Sequence, residues 1–236
     1  MKTVITLLAA GMALMIANPA FAQDDDDDQD PNVPLTAVQG FGGLHFELTA
    51  GWDHLNATSI RTVSSVITQT QGTGSGAAFG GAIGYDIPLT DRVLIGAELG
   101  VYGSTAKWNN SANLVANDFN TSIVKVQPDI FVGGRLGFVL NRKTEVYAKA
   151  GLSTFHFSAY GTDGSETLHE SASATGLRGG IGIERQLSKV TYVKLEYDYT
   201  HYGSEQYNFG NATPNASTFD LRGNRQQAMF SVGYRF

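Results

Sequence analysis

The sequence predicts an all-β protein, an antiparallel up-and-down β-barrel of eight strands that spans a membrane. Apolar side chains recur at every second position in eight segments, which is the period of a strand with one apolar and one polar face. The connections between these segments are alternately short and long, and the face opposite the apolar one carries charges. No segment after Gln23 shows a sustained helical period.

The first 22 residues have the features of a secretory signal peptide. Lys2 precedes an apolar run from Val4 to Ile16, and Ala20-Phe21-Ala22 is a small-x-small sequence of the kind that leader peptidases cut after. The run is too short for a spanning helix, which needs about 20 apolar residues. We therefore predict a signal peptide over residues 1–22.

Residues 23–40 form an acidic segment, in which Asp24 to Asp28 and Asp30 supply six of the 22 acids. A run of like charge is usually solvated, so we predict a disordered periplasmic segment. The alternative is divalent-cation binding, because carboxylate oxygens suit hard ions. The chain after residue 30 is almost neutral, with 16 acids and 15 bases, which argues against nucleic-acid binding.

The barrel is predicted over residues 41–236. In its first strand Leu44, Phe46, Leu48, Ala50 and Trp52 alternate with His45, Glu47, Thr49, Gly51 and Asp53. Seven further segments repeat this pattern, and their apolar positions run from Ala77 to Tyr85, Val93 to Val101, Val126 to Phe138, Val146 to Leu152, Leu177 to Ile183, Val193 to Tyr199 and Ala228 to Phe236. There is no cysteine, so the fold must close without disulfides.

The lengths of the connections favour a membrane barrel over a soluble one. Three connections are tight polar turns, at residues 88–92, 141–144 and 185–189. The other four are long and polar, at residues 55–75, 104–122, 157–175 and 201–224. Loops of that length are uncommon in a compact soluble domain. Short periplasmic turns and long extracellular loops are typical of a transmembrane barrel.

The face between the apolar positions is predicted to line the barrel interior. It carries six acids and five bases: Glu47, Glu98, Asp129, Arg135, Lys149, Arg178, Glu184, Lys194, Glu196, Asp198 and Arg235. Glycines on the same strands indicate a narrow interior: Gly96, Gly100, Gly133, Gly137, Gly151, Gly180 and Gly182. A soluble barrel would instead bury the apolar face and leave the charges in water.

Aromatic residues are predicted to form two belts at the strand ends, where the membrane interfaces lie. The belt near the short turns comprises Tyr85, Phe138, Tyr147, Tyr192, Tyr234 and Phe236, and the other comprises Trp52, Tyr102, Trp108, Tyr197, Tyr199 and Tyr202.

Two stretches resemble known outer-membrane proteins. The ending Phe230-Ser-Val232-Gly-Tyr234-Arg-Phe236 resembles the terminal signature of Gram-negative outer-membrane barrels, which implies recognition of Phe236 by the barrel assembly machinery. "YVKLEYDYTHYG" from Tyr192, and "GGAIGYDIPLTDRVLIGAELGVYG" from Gly80, resemble an eight-stranded family that includes the opacity-like and major alphaproteobacterial surface proteins. This resemblance spans residues 40–236, and its members share a fold without sharing a function.

No motif predicts a catalytic, cofactor-binding or metal site. The five histidines lack HExxH or Cys-x-x-Cys spacing, and no glycine loop opens a helix. His156 and Ser158, with Glu170 further along, resemble the His-x-Ser of outer-membrane lipid A deacylases, although Ala159 stands where that family has Asn. We expect no enzymatic activity, with a deacylase-like hydrolase as an alternative.

We expect an integral protein of the cell outer membrane that acts as an envelope anchor and an interaction protein. The expected partners are membrane lipid, lipopolysaccharide, the assembly machinery, and host or phage ligands at the long loops. The alternative is a narrow pore or a transporter for a small hydrophobic solute. Eight strands leave an interior that side chains can fill or that holds one small ligand.

Overall fold

The computed structural model describes residues 40–63, 66–109, 120–162, 167–207 and 219–236, all of them in strands or in short connections between strands. The predicted signal peptide and nearly all of the predicted acidic segment, including Asp24 to Asp28, lie outside these ranges. In chain order the strands are β1 Gly43–Val63, β2 Val66–Pro88, β3 Val93–Ser104, β4 Lys107–Asn109, β5 Asn120–Asn141, β6 Thr144–Thr162, β7 Thr167–Gln186, β8 Thr191–Tyr207 and β9 Phe219–Arg235.

These strands close into one antiparallel barrel with eight strand positions, because β3 and β4 share one of them. The sheet order is β3-β2-β1-β9-β8-β7-β6-β5-β4, and pairing of β3 with β5 completes the circle. The three-residue β4 continues the path of β3 after a break at residues 105–106 and pairs with the far end of β5. The prediction of eight strands is therefore confirmed.

The backbone pairing also fixes the stagger of the barrel. Partners followed around the sheet from Asp53 return to β1 at Gly43, ten residues earlier, through Gln227, Asp198, Gly180, Lys149, Arg135, Gly96 and Asp86. A stagger of this size requires strands tilted by roughly 35–45° from the barrel axis, and the interior is then just wide enough for side chains to fill.

The predicted faces are confirmed for the described side chains, except that Ile183, predicted on the outer face, is only 2% exposed. Outward apolar side chains are exposed, such as Leu48 at 71% and Leu177 at 70%, whereas all eleven charges predicted to face inward are buried. On β1 the apolar outer band runs from Leu44 to Trp52, a height of roughly 20 Å at 3.3 Å per residue and this tilt. Backbone groups are paired all around the closed sheet, as a membrane interior requires. No helix among the described residues has the length and apolar character needed to cross a membrane.

The predicted membership of both aromatic belts is wrong in part. Tyr102, Tyr147, Tyr192 and Tyr202 are buried in the interior, with exposures between 1% and 4%. Each occupies a position of the same parity as the inward charges, so alternation places it inside whatever its distance from the membrane interface. Tyr85, Phe138, Tyr199, Tyr234 and Phe236 are exposed on the outer wall, and the side chain of Trp108 is outside the described part.

Much of what the sequence suggests to be loop is strand. β1 and β2 remain paired out to Val63 and Val66, and β6 and β7 out to Thr162 and Thr167. Beyond the apolar band the outward positions of β1 become polar, at His54 and Asn56, so the apolar outer face ends while the backbone ladder continues. The predicted long connections therefore overestimate the irregular part of the chain.

The residues preceding β1 close the short-turn end of the barrel. Phe41 is fully buried against Leu94 and Val139, and its carbonyl accepts a hydrogen bond from Arg235. Gly43 then turns the chain into the wall with φ of 104°, a conformation that glycine adopts without strain.

Candidate functional site: the charged interior of the barrel

The interior holds more acid than the sequence pattern indicates. Its buried acids are Glu47, Asp53, Asp86, Glu98, Asp129, Glu145, Glu184, Glu196 and Asp198, and its buried bases are Arg135, Lys149, Arg178, Lys194, Arg225 and Arg235. Acids thus outnumber bases by nine to six among the described residues, and the expected near balance is wrong. Their side chains form three layers along the barrel axis.

The lower layer lies beside the short turns. Arg135 donates to Glu145 at 2.8 Å and to Glu184 at 3.0 Å. Arg235 donates to the other oxygen of Glu184 at 2.9 Å and to Asp86 at 3.1 Å. Each guanidinium group thus binds carboxylates on two other strands. Together these hydrogen bonds connect five of the eight strands at this level.

The middle layer is organised by two lysines. Lys149 Nζ lies 3.0 Å from Glu98 Oε1 and 2.7 Å from Glu196 Oε1. Lys194 Nζ lies 2.5 Å from Glu47 Oε1 and 3.4 Å from Glu196 Oε2. Two hydroxyl groups complete the layer: the Tyr147 hydroxyl donates to Glu196 at 2.6 Å, and the Tyr192 hydroxyl donates to Glu47 at 3.2 Å.

The upper layer lies nearest the long hairpins. Arg225 makes a bidentate contact with Asp53, at 2.8 and 3.0 Å, and a third hydrogen bond to Asp129 at 2.9 Å. Arg178 pairs with the same Asp129, and it donates to Thr200 at 2.9 Å and to Ser153 at 2.8 Å. Bidentate guanidinium contacts are among the stronger and more directional pairings available to a carboxylate.

Two buried side chains between the middle and upper layers are poorly satisfied. Asp198 has no hydrogen bond to the described residues, and its nearest cation is Lys149 at 3.4 Å. Gln227, its backbone partner on β9, also has neither polar atom bonded within the described part of the chain. A buried water is the usual partner of such groups.

Glycines make room for the large interior side chains, as predicted. A Cβ at Gly182 would meet the Tyr147 ring, one at Gly233 the Tyr192 ring, and one at Gly180 the Asp198 carboxylate. By contrast, Gly179 faces outward, and a Cβ there would meet only a backbone oxygen at 4.0 Å. The space that a side chain would take at each of these inward glycines is thus filled by a ring or a charged group from a neighbouring strand.

This arrangement can fill the barrel and hold it rigid. At three successive levels, arginine or lysine side chains from one wall reach carboxylates on another. The sequence indicated eleven of these charges but missed Asp86, Glu145 and Arg225. Asp53 and His45, whose Nδ1 lies 3.3 Å from Asp86, were placed on the polar face of the first strand but not counted among the interior charges. All five have the inward parity, so extending the alternation to the strand ends would have included them all.

Of the three residues that resemble the deacylase motif, the structure describes the side chain of one. His156 is exposed. The side chains of Ser158 and Glu170 are outside the described part, and in the backbone ladder Glu170 pairs with Ala159 instead of Ser158. Among the described residues no cluster of three or more potential metal ligands occurs.

Comparison with known proteins identifies the family of this architecture. Residues 7–236 match the family described as outer membrane protein beta-barrel domain. No curated protein matches the chain.

Several solved structures are similar to this chain at low sequence identity. The outer membrane protein OprG from Pseudomonas aeruginosa is 11% identical with a TM-score of 0.49, over 83% of this chain and 97% of that one. Ail, the attachment invasion locus protein of Yersinia pestis, is 13% identical with a TM-score of 0.41, over 82% and 99%. Neisserial surface protein A is 16% identical with a TM-score of 0.40, over 81% and 97%.

Proposed function

Because the chain belongs to the outer membrane protein beta-barrel family, we propose that it is an envelope anchor whose filled barrel supports an interaction surface at the cell exterior. The cell outer membrane is its location. The narrower resemblance to the opacity-like and alphaproteobacterial surface proteins remains a prediction.

The observation that carries the proposal is the filled interior. Fifteen buried charges occupy it in layers, and most are paired across the barrel instead of lining an open path. Removing one partner of a buried pair costs about 3–5 kcal/mol, so an opening that separates several pairs at once is strongly disfavoured. Phe41 adds an apolar plug at the short-turn end.

The supported surface lies at the other end. The paired hairpins β1–β2 and β6–β7 continue well beyond the apolar band. With the short turns on the periplasmic side, these extensions face the exterior. We propose that they and their connections contact lipopolysaccharide, host or phage molecules, that Phe236 engages the assembly machinery, and that the protein has no catalytic role.

Single-channel recording in planar bilayers tests the filled-barrel proposal. The native chain should give no steady conductance. A variant that removes both bases of the upper layer, Arg178→Ala with Arg225→Ala, is the control that opens the network and should give larger or more frequent current steps. Steady open steps from the native chain would instead favour the narrow pore, which the acid excess would make cation-selective.

A further inference from the structure

The outer wall carries a one-sided group of rings and amides just beyond the apolar band. We name this group the ring–amide patch; it consists of Trp52 and His54 on β1, Tyr197 and Tyr199 on β8, and Asn224 and Gln226 on β9. His54 and Tyr199 are the backbone partners of Gln226 on its two sides, so the three strands present one continuous surface. The intervening residues Asp53, Asp198 and Gln227 are buried, which confirms that the patch faces outward.

The patch presents flat apolar surfaces together with free donors. The Trp52 and His54 rings are stacked, with centroids 5.4 Å apart and planes 5° apart. The Tyr197 hydroxyl donates to Gln226 Oε1 at 2.9 Å, and His201 Nδ1 donates to Asn224 Oδ1 at 2.7 Å. The two amide oxygens are therefore occupied, whereas the amide nitrogens have no acceptor among the described residues. They point to a ligand rich in acceptors.

An aromatic belt alone does not explain the patch. A belt anchors a barrel all around its circumference, but the exposed apolar side chains described near the same ends of β3, β5, β6 and β7 are aliphatic, and Phe79 is the exposed ring on β2. Val101 on β3, Ile130 on β5, Leu152 on β6 and Leu177 on β7 are exposed there. The rings and amides are thus concentrated on the three strands β8, β9 and β1.

The position of the patch on the barrel indicates which kind of ligand binds there. On β9 the outer wall passes from Val232 and Phe230 through Ala228 to Gln226, so apolar side chains give way to amides within a few residues. This boundary is continuous with the lipid-facing wall and lies on the exterior side, where the head groups of the outer leaflet begin. No lysine or arginine belongs to the patch, because Arg225 is buried in the interior and the nearest base at an outward position of β9 is Arg222, two residues beyond Asn224.

We propose that the ring–amide patch binds the sugar head group of an outer-leaflet glycolipid. The stacked rings pack against the apolar C–H face of a sugar ring, and the Asn224 and Gln226 amides donate to its hydroxyl groups. This site deepens the proposed function and rests on it for the orientation of the barrel. Conductance tests the filled interior and glycolipid binding tests the patch, so failure of one is distinguishable from failure of the other.

Native mass spectrometry of the full chain in detergent tests the site, with deep-rough lipopolysaccharide as the probe. We expect one bound molecule, and about tenfold weaker binding, or more, for Trp52→Ala and for Gln226→Ala. Leu177→Ala, on the opposite wall, is the matched control and should bind as the native chain does. Heat-modifiable migration on a gel verifies that each variant is folded.

Two competitors identify the chemistry that is recognised. Chemically dephosphorylated lipopolysaccharide should retain binding, since the sugar is the ligand, and phosphatidylglycerol should not displace the probe. The proposal is overturned if dephosphorylation abolishes binding, if phosphatidylglycerol competes equally, or if Leu177→Ala weakens binding as much as Trp52→Ala.

Discussion

Lys149 is one of the interior bases that contact three carboxylates each. Its Nζ lies within 3.4 Å of Glu98, Glu196 and Asp198, which come from two other strands, β3 and β8. Among the described residues Asp198 is paired with Lys149 alone, whereas Glu98 and Glu196 also lie within 3.8 Å of Lys194. Loss of Lys149 would leave the charge of Asp198 uncompensated, and an uncompensated buried charge is expensive.

We predict that Lys149→Met destabilises the barrel by about 3–5 kcal/mol, because it leaves these carboxylates without their shared cation. Urea unfolding in detergent, followed by circular dichroism, measures the change. Lys189→Met, at an exposed short turn, is the control and should change stability by less than about 0.5 kcal/mol.

A double variant separates electrostatics from loss of packing. Adding Glu196→Gln to Lys149→Met removes one of the carboxylate charges that Lys149 contacts and should restore part of the lost stability. A double variant no more stable than the single one would show that the ion pairs do not govern this layer.

The interior residues also show what the sequence could and could not predict at this scale. Alternation placed Glu98, Lys149 and Arg178 inside correctly because parity alone decides the face. It was not applied to Tyr147 and Tyr192, which were assigned to belts by their nearness to strand ends. The partner of each charge depends on the ten-residue stagger, which no single strand reveals.

At the scale of elements, β7 carries one inward-facing and one outward-facing glycine within four residues. Gly182 faces the interior beneath the Tyr147 ring, whereas Gly179 faces the membrane over open space. The same substitution should therefore have opposite consequences at the two positions.

We predict that Gly182→Leu destabilises the barrel by about 1–3 kcal/mol or prevents folding, because the interior is already filled. Gly179→Leu should be neutral or stabilising, since it adds apolar surface on the lipid side. The folded fraction on an unheated gel and the urea midpoint give the comparison. Equal tolerance at both positions would mean that the interior is not packed as described.

The end of β9 offers a test of the assembly signal. Phe236 is 71% exposed, its ring contacts the outer-wall rings of Phe46 and Tyr234, and its backbone N–H donates to the Leu44 carbonyl at 2.9 Å. This position contributes little to the interior. Because we propose that the assembly machinery recognises Phe236, we predict that Phe236→Ala lowers the amount of folded protein in cells several-fold.

The same variant should refold from urea into detergent almost as the native chain does. Phe138→Ala, at an exposed outward position on β5 outside the terminal signature, is the control and should leave cellular assembly unchanged. An equal loss for both variants would indicate a general packing effect instead of recognition of the terminal residue.

Strand existence was predictable from the two-residue period, but strand length was not. Within the membrane one face of β1 must be apolar, so Leu44 to Trp52 give a clear signal. Beyond Trp52 the outward positions become polar, at Asn56 and Thr58, while Leu55 and Ala57 are buried inside, so no apolar outer face marks the strand although backbone pairing to β2 and β9 continues.

At the scale of the whole molecule, the barrel inverts the arrangement of a soluble protein. Large aliphatic and aromatic side chains are 40–70% exposed over most of the outer wall, and ionised side chains form the core. Such a surface is stable only against hydrocarbon, because an apolar patch of this extent would associate in water. Membrane anchoring, the filled interior and the ring–amide patch all depend on this arrangement of apolar side chains outside and ionised side chains inside.

The most direct test uses the native chain in lipid nanodiscs with a nitroxide attached to the lipid tails. Methyl-labelled NMR spectra should lose the signals of Leu48, Val132 and Leu177, which face the nitroxide. The signals of the buried residues Met229, Leu94 and Ala78 should persist. Equal broadening of both sets, or loss of the second set alone, would contradict an apolar exterior around a charged core.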